Sequence, residues 1–263
     1  MDYEKIATYQ DHSVKPLEID VDSNTRVLMI FPHADDETTV AGLSEHLRVQ
    51  GAVIHLLTLT RDSDSSQTEL RLAELKCASE QLGIQDVEMA GLINNSWEEV
   101  ISNKIRFWYD RQDSIKSIIK NKMDRFHPDI LVTYDTEIGG YGHPEHYISA
   151  RLAEELFNEF QSDSLYRPRT LIQSTLPDKL EEFLAAPVES YHLTRSITGS
   201  DGLPEPEASL EIKPYWPAKN RAAQCYHSQM RTLKKFFIAY DESHAEAHMA
   251  AFSKEYYILV QNE

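Results

Sequence analysis

The stretch Arg26–Glu37 reads Arg-Val-Leu-Met-Ile-Phe-Pro-His-Ala-Asp-Asp-Glu and joins an apolar run directly to a cluster of acid–base side chains. The run from Val27 to Phe31 has no polar interruption, which predicts a strand buried on both faces of a sheet. His33 and the acids Asp35, Asp36 and Glu37 follow within five residues. Open α/β sheets carry their sites at the carboxyl ends of the strands, so this stretch predicts the place of the site as well as the central strand.

The three acids of this stretch have a second interpretation. Carboxylates are favoured at the amino end of a helix because they oppose its positive dipole. For the acids alone, this structural interpretation is as good as the functional one. It explains neither His33 nor a second histidine cluster about a hundred residues later.

Length and composition predict one large domain, with a core over about 26–160 and a C-terminal lid or extension over about 161–263. The chain has 263 residues, of which 41% are hydrophobic, and a formal charge of −17. This charge argues against binding to nucleic acid or to an anionic membrane surface. No apolar run approaches the roughly 20 residues of a membrane span, and the N-terminus lacks the features of a signal peptide.

The two cysteines, Cys77 and Cys225, lie far apart in the sequence and form no CxxC pair. Their spacing therefore predicts neither a disulfide framework nor a thiolate zinc site. Together with the absence of targeting features, this predicts a soluble cytoplasmic protein, and a homo-oligomer stays open.

Apolar strands alternate with amphipathic helices over the first 160 residues. This alternation predicts an α/β fold, namely a Rossmann-like doubly wound, mostly parallel sheet with helices on both faces and a C-terminal α/β extension. With the strand order 3-2-1-4-5, strands one and four are neighbours, and the loops at their carboxyl ends face each other. Strands are predicted at 26–31, 52–60, 86–92, 129–134, 170–174, 190–194 and 255–261, and helices at 37–50, 68–82, 98–125 with a break near 110, 144–160, 218–238 and 242–252.

The loop after the fourth strand, from Tyr134 to His146, holds the second cluster of histidines. Its three glycines, at 139, 140 and 142, permit backbone conformations that other residues avoid. His143 and His146 are three residues apart on the first turn of a helix, so both can point the same way. His33 and Asp36 have the same spacing. Two histidines and one carboxylate are a ligand set of catalytic zinc sites, which keep a fourth position open for water.

The two loops also carry a family resemblance. Phe-Pro-His-Ala-Asp-Asp-Glu at 31–37 resembles the His-Pro-Asp-Asp-Glu signature of the zinc-dependent PIG-L/LmbE-like deacetylases, and Gly142–His146 resembles their Gly-His-Pro-Asp-His signature. Arg71 and Glu74 are similar to the family's Arg-x-x-Glu helix. A weaker similarity, of Lys219, Ala222 and Ser228-Gln229, is to a C-terminal Lys…Ala…His-x-Ser-Gln pattern, from which the chain departs because His227 directly precedes Ser228. The resemblance spans residues 26 to 229 in the family's order.

The resemblance implies a role for each matching residue. His33, Asp36 and His146 would hold one zinc ion per chain, with Asp35 as the general base. His143 would stabilise the oxyanion and protonate the leaving amine, and Tyr141 would assist it. A carboxylate such as Glu145 would favour the cationic form of His143. Arg71 would bind the substrate's hydroxyl groups, and Asn94 and Asn95 lie where many sugar-binding members carry an aspartate.

Two departures from the family pattern concern the loops themselves. Ala34 replaces the usual proline of the first signature, so the turn after the strand is less rigidly preset. Glu145 replaces the usual aspartate of the second, so its carboxylate must orient its partner from a different distance.

The function implied is a zinc-dependent hydrolase that removes the N-acetyl group from a small N-acetylglucosamine-type amino sugar or glycoconjugate, with antibiotics and thiol precursors among the family's substrates. Two alternatives stay open. A magnesium-dependent phosphatase could use Asp35 and Asp36, but magnesium prefers oxygen ligands to histidine. A non-catalytic nucleotide-binding module would need a Gly-x-Gly-x-x-Gly turn, and Pro32-His33-Ala34 stands there instead.

Two C-terminal features are interpreted as structural or left open. Residues 196–217 form a proline-rich loop that is either a flap over the site or a plain surface excursion. His244 and His248 lie four apart on a predicted helix and could mimic a zinc pair. They lack a third partner in sequence, which favours a solvated helix face.

Overall fold

A mixed seven-stranded sheet forms the centre of the fold in the computed structural model, which describes residues 2–163, 165–230 and 245–261. Within these residues the strand order is β3-β2-β1-β4-β5-β7-β6. The first five strands run parallel, whereas β7 is antiparallel to both β5 and β6. The strands are β1 (Arg26–Phe31), β2 (Val53–Arg61), β3 (Asp86–Ile93), β4 (Ile130–Tyr134), β5 (Thr170–Thr175), β6 (Ala208–Glu211) and β7 (Lys254–Gln261).

Helices cover both faces of this sheet. A 3₁₀ turn, Asp36–Val40, leads from the loop after β1 into α2, and a π turn, Glu181–Ala185, extends α8. A further 3₁₀ turn lies at His227–Gln229. The helices are α1 (Tyr3–Tyr9), α2 (Ala41–Val49), α3 (Ser65–Gln81), α4 (Trp97–Ile101), α5 (Arg106–Asp110), α6 (Gln112–Phe126), α7 (Pro144–Phe160), α8 (Asp178–Leu180), α9 (Glu189–Thr198), α10 (Trp216–Gln224) and α11 (Ala245–Ala251).

The uninterrupted apolar run of β1 is explained by its two buried faces. Val27, Met29 and Phe31 belong to a core with α2, α3 and α10, whereas Leu28 and Ile30 belong to a second core with α5, α6 and α7. All five side chains are fully buried. Successive side chains of a strand point to opposite faces, so a strand with a helical layer on each side must be apolar at every position. The predicted fold class and strand order are confirmed.

One predicted strand is wrong. Residues 190–194 belong to the helix α9, whose buried side chains Ser190, Tyr191 and Thr194 recur at helical spacing. The run Ser-Tyr-His-Leu-Thr resembles a short strand, but its burial follows a period of three to four residues and not of two.

The proline-rich stretch 196–217 also differs from the predicted continuous loop. Its middle forms the edge strand β6, which pairs with β7 and buries Ala208 and Leu210. A strand of four residues between prolines carries too little periodicity to be recognised from sequence. The lid function of residues 161–263 stays a prediction.

Helix α10 is shorter than predicted. Helix α10 ends at Gln224, and the remainder of the predicted helix 218–238 beyond residue 230 lies outside the described residues, as does His244. His248 is 1% exposed and its ring lies 5.0 Å from that of Trp216, so the predicted solvated face is wrong. The helix that carries it packs against α1, a contact that no local pattern reveals.

The two cysteines form a disulfide, contrary to the prediction from their spacing. Cys77 on α3 and Cys225 directly after α10 are 148 residues apart in sequence, with a Cα–Cα distance of 5.7 Å. Helices α3 and α10 pack on the same face of the sheet, and this packing, not the spacing, brings the thiols together. Disulfides persist in oxidising compartments, so the pairing removes one ground for the cytoplasmic location, which stays a prediction.

None of the helices in the described part of the chain combines the length and the apolar character needed to cross a bilayer.

Candidate active site

The loop after β1 holds Asp35 in an unusual backbone conformation. Its φ of 109° lies in the left-handed region, which costs energy for a residue with a side chain. Glu37 accepts a hydrogen bond from the Asp35 amide at 3.1 Å and from the Tyr226 hydroxyl at 2.5 Å. Arg71 donates to the carbonyl of Ala34. These bonds hold the strained turn and fix the direction of the Asp35 side chain.

The loop after β4 is held by Asp135. Its carboxylate accepts four backbone N–H groups, of residues 137, 138, 139 and 140, at 2.6–3.1 Å. Gly142 has a φ of 86°, and a Cβ there would lie 2.3 Å from the Tyr191 Cα, so the predicted need for glycine is confirmed at this position. The loop ends at His143, the N-cap of α7, with Pro144 in the first turn.

The two loops bring the side chains of three candidate metal ligands together between β1 and β4. His33 Nδ1 lies 3.1 Å from His146 Nε2 and 3.2 Å from Asp36 Oδ2, and His146 Nε2 lies 3.3 Å from Asp36 Oδ1. Ligand atoms about 2.0–2.1 Å from a tetrahedral zinc ion are roughly 3.3–3.4 Å from one another. The two imidazole nitrogens and the two Asp36 oxygens that face them therefore have spacings close to those around a metal ion.

The other ring nitrogen of each histidine has a partner that fixes its orientation. His146 Nδ1 lies 3.2 Å from the carbonyl oxygen of Gly139, and its ring stacks on that of Tyr134 with centroids 4.2 Å apart. His33 Nε2 lies 2.7 Å from Glu145 Oε2. Metal-binding histidines commonly donate their second N–H to a carbonyl or carboxylate, which leaves the first nitrogen free for the metal.

The buried charges of this cluster also suit a cation. The carboxyl groups of Asp36 and Glu145 are at most 5% exposed, whereas burial raises the pKa of Glu37 to about 8, so that Glu37 adds little negative charge near neutral pH. Burial disfavours the charged form of His33, but Asp36 and Glu145 nonetheless raise its pKa to about 10. A site that draws a proton onto an imidazole so strongly carries an excess of negative charge, which a divalent cation would balance.

His143 offers a second possible ligand set with His33 and His146, since ligand atoms of all three lie within 4.8 Å of one another. The spacing is looser than that of Asp36, and the Nδ1 of His143 already accepts the Glu145 amide at 3.3 Å. Burial and the neighbouring His33 and His146 hold the pKa of His143 well below its usual value. The set with Asp36 fits a metal ion better.

Glu145 does not approach His143 in the way expected from the sequence. Its carboxylate contacts His33 and accepts a hydrogen bond from the Asn95 side chain, so it does not stabilise a cationic His143. The Glu145 side chain extends from the first turn of α7 to His33. The aspartate of the family signature is one methylene group shorter and would not extend as far.

Asp35 lies beside the ligand cluster without the short contacts that Asp36 makes. Its Oδ2 is 3.7 Å from the Arg71 guanidinium. Burial raises the pKa of Asp35 to about 7, helped by the charge of Asp36 and opposed by that of Arg71. Burial also raises the pKa of Asp36, but His146 and His33 hold it well below its usual value. The adjacent carboxylates therefore differ in affinity for protons.

The predicted substrate-binding residues lie at the same edge of the sheet. Asn94 and Asn95 follow β3. The Asn95 side chain donates a hydrogen bond to Glu145, and the Asn94 backbone N–H donates to the Arg61 carbonyl oxygen at 2.9 Å. Arg71 contacts the loop that carries Asp35, so a substrate-binding Arg71 would also support that loop. Tyr141 lies against the histidines, with its ring 5.0 Å from that of His146.

Several residues at the site were not predicted from sequence. Trp97 is 42% exposed, and its ring lies 6.2 Å from that of His143. A capping box of Ser96 and Glu99 fixes its helix. An exposed aromatic side chain beside a polar site can pack on a sugar ring. The position of Trp97, three residues after Asn94, could have indicated from the sequence that it lies near the site. Tyr226, which positions Glu37, carries no sequence signal.

Comparison with known families identifies the fold and its two loops together. A family model described as PIG-L, GlcNAc-PI de-N-acetylase, matches residues 28–157, which include both signatures. The 1D-myo-inositol 2-acetamido-2-deoxy-alpha-D-glucopyranoside deacetylase of Thermobifida fusca is 25% identical over 272 residues, covering 90% of this chain and 93% of the relative. Residues 28–157 therefore form a PIG-L domain. The predicted resemblance is confirmed.

Solved structures share the PIG-L fold at low sequence identity. The zinc-inhibited form of the teicoplanin deacetylase Orf2 has a TM-score of 0.59 at 16% identity, covering 91% of this chain and 99% of the other. GalB, the 4-carboxy-2-hydroxymuconate hydratase of Pseudomonas putida KT2440, has a TM-score of 0.56 at 14% identity, with 91% and 97% covered. At such identities the likeness concerns the fold, which supports both deacetylases and a hydratase.

Proposed function

We propose that this protein is a metal-dependent deacetylase that hydrolyses the N-acetyl group of a small N-acetylglucosamine-type sugar or glycoconjugate. The observation that carries the proposal is the close approach of the His33, Asp36 and His146 side chains, at 3.1–3.3 Å between facing nitrogen and oxygen atoms, with Asp35 beside them. The curated PIG-L relative named above acts on an acetamido sugar joined to inositol, which supports this substrate class.

The same three residues are the proposed ligands of one zinc ion per chain. Two imidazoles and one carboxylate suit zinc better than magnesium, which prefers oxygen. When bound, zinc would lower the pKa of a water molecule to about 7 and polarise the amide carbonyl. Glu145 and the Gly139 carbonyl would keep the two imidazoles oriented toward the metal.

Asp35 is the proposed general base. Asp35 is adjacent to the proposed ligand Asp36 but is not itself one of the three proposed ligands. Its raised pKa of about 7 matches a base that works near neutral pH. The strained turn keeps its carboxylate apart from that of Asp36, so one acid can hold the metal while the other takes the proton of the attacking water.

His143 and Tyr141 are proposed to act on the amide itself. Because His143 Nδ1 accepts the Glu145 amide, the proton of a neutral ring is on Nε2, from which it can be donated. The Nε2–H hydrogen bond would stabilise the negative charge on the carbonyl oxygen, and His143 would protonate the leaving nitrogen once the ring has gained the proton that Asp35 takes from the attacking water. Tyr141 offers a phenol for the same oxygen. Trp97 would pack on the sugar face beside His143.

The substrate assignment is tested by measuring acetate release from N-acetylglucosamine, N,N′-diacetylchitobiose and an N-acetylglucosaminyl-inositol with the zinc-loaded protein. We expect release of acetate and free amine in equal amounts from at least one of them. Assay of hydration of an unsaturated dicarboxylic acid serves as the comparison. Hydration without any acetate release would show that the site performs the chemistry of the hydratase and not that of the deacetylases.

Arg71→Ala is expected to raise KM and to lower kcat as well. The first effect follows from a lost hydroxyl contact, and the second from the lost bond to Ala34, which supports the turn that carries Asp35. Arg48→Ala on α2, where the arginine pairs with Glu45 at the surface, is the matched control. An unchanged KM together with a lowered melting temperature would make Arg71 a purely structural residue.

A further inference from the structure

A cavity of about 230 Å³ begins at the proposed reaction centre and extends away from it. Asp35, Asp36 and Tyr141 line one end. Away from this end the wall exposes mainly apolar surface, although Lys219, His248, Lys254 and Glu255 also line it. Its apolar residues come from the end of β5, the π turn, the segment before β6 and the residue after α11: Leu176, Leu184, Ala185, Leu203 and Phe252.

The buried carboxylate in this wall is already bonded within the protein. Glu255 accepts hydrogen bonds from Lys219 Nζ at 2.7 Å and from the Tyr257 hydroxyl at 2.6 Å, and also from the backbone amides of Gly42 and Leu43. These bonds satisfy the buried carboxylate within the protein. Leu176, Leu184 and Phe252, by contrast, are only partly buried, so the surface left for a ligand is apolar.

The direction of the cavity determines which part of the substrate it faces. Neither His143 nor Trp97 lines it. In the proposed reaction His143 protonates the amide nitrogen, so the amine and its sugar lie on the His143 side. The acyl group is on the other side of the scissile carbon, where Asp36 and Tyr141 form the beginning of the cavity.

We propose that this cavity binds the acyl group of the scissile amide, and that the preferred substrate carries a medium-length aliphatic acyl chain in place of acetyl. This inference rests on the proposed function and deepens it. An apolar cavity of about 150 Å³ accommodates benzene, so this one has room for roughly six to nine carbon atoms. Acetyl would leave nearly all of it unfilled.

The test compares kcat/KM of the zinc-loaded enzyme for N-acetyl-, N-hexanoyl- and N-octanoyl-glucosamine. We expect kcat/KM to rise about fourfold per methylene group until the cavity is full. Octyl 2-acetamido-2-deoxyglucoside carries the same apolar chain on the sugar side, and it should gain far less. A calorimetric Kd of N-octanoylglucosamine for the Asp35→Asn variant gives a readout that does not depend on turnover.

Two variants locate the effect. Leu184→Trp and Leu176→Trp place a larger side chain in the wall and should lower the octanoyl-to-acetyl ratio of kcat/KM at least tenfold. Leu165→Trp, at a side chain that is 94% exposed, is the control and should keep the wild-type ratio. Because the readout is a ratio within one protein, a partial loss of folded enzyme does not alter it.

The outcomes separate this inference from the proposed function. If acetate is released but kcat/KM falls as the chain lengthens, or if the octyl glycoside gains as much as the octanoyl amide, the acyl assignment is overturned and the deacetylase stands. If no amide of the series is hydrolysed, the proposed function itself has failed.

Discussion

Asp35→Asn is expected to retain zinc and to lose about 10²–10⁴-fold in kcat, the range that general-base catalysis contributes. Asparagine keeps the size of the side chain and its ability to form hydrogen bonds, but its amide cannot take a proton from water. Since Asp35 is not one of the three proposed ligands, His33, Asp36 and His146, the metal should stay bound. Measurement of kcat and of zinc per chain on the same sample checks both parts.

The left-handed backbone of Asp35 makes asparagine the appropriate substitution, because asparagine tolerates this conformation better than most residues. The melting temperature should therefore stay close to that of the wild type. Zinc-free Asp35→Asn protein with normal folding would show that Asp35 is a ligand and would exclude it as a free base.

Asp36→Asn should instead weaken zinc binding roughly 100-fold or more. Loss of even an outer partner of a metal ligand costs about 10–100-fold in affinity, and removal of a charged ligand should cost at least as much. The carboxylate accepts the Tyr134 hydroxyl at Oδ1 (3.0 Å) and the His33 backbone N–H at Oδ2 (2.7 Å), and the single amide oxygen of asparagine can keep one of these two hydrogen bonds. The fold should survive, so zinc affinity measured by competition with a chelator isolates the ligand effect.

His143→Ala distinguishes the two possible ligand sets in the same assay. It should bind zinc as tightly as the wild type while losing turnover. Zinc loss in His143→Ala beside normal affinity in Asp36→Asn would assign the third ligand to His143 and would refute the set proposed here.

The sequence predicted those parts of the fold and site that depend on the residue pattern within a single segment. The apolar run Val27–Phe31 required a strand with a helical layer on each face, and the strand order then placed the two histidine loops opposite each other. Gly142 and Pro144 marked a loop turning into a helix, and α7 was predicted at residues 144–160 as observed. Each of these features follows from spacing along one segment.

The remaining features depend on contacts between distant segments. Glu145 turns to His33, 112 residues away, and Tyr226 reaches Glu37, 189 residues away. The disulfide of Cys77 and the burial of His248 likewise follow from packing between helices. No periodicity in one segment encodes its partner in another, so these contacts required the three-dimensional structure.

The most direct test of the central claim is a zinc titration of chelator-treated protein with acetate release as the readout, using the N-acetyl sugar that releases acetate fastest. We predict no turnover without metal and a linear rise that stops at one zinc per chain. Full turnover in the metal-free protein, or a plateau reached without any bound zinc, would contradict a hydrolytic site built on His33, Asp36 and His146.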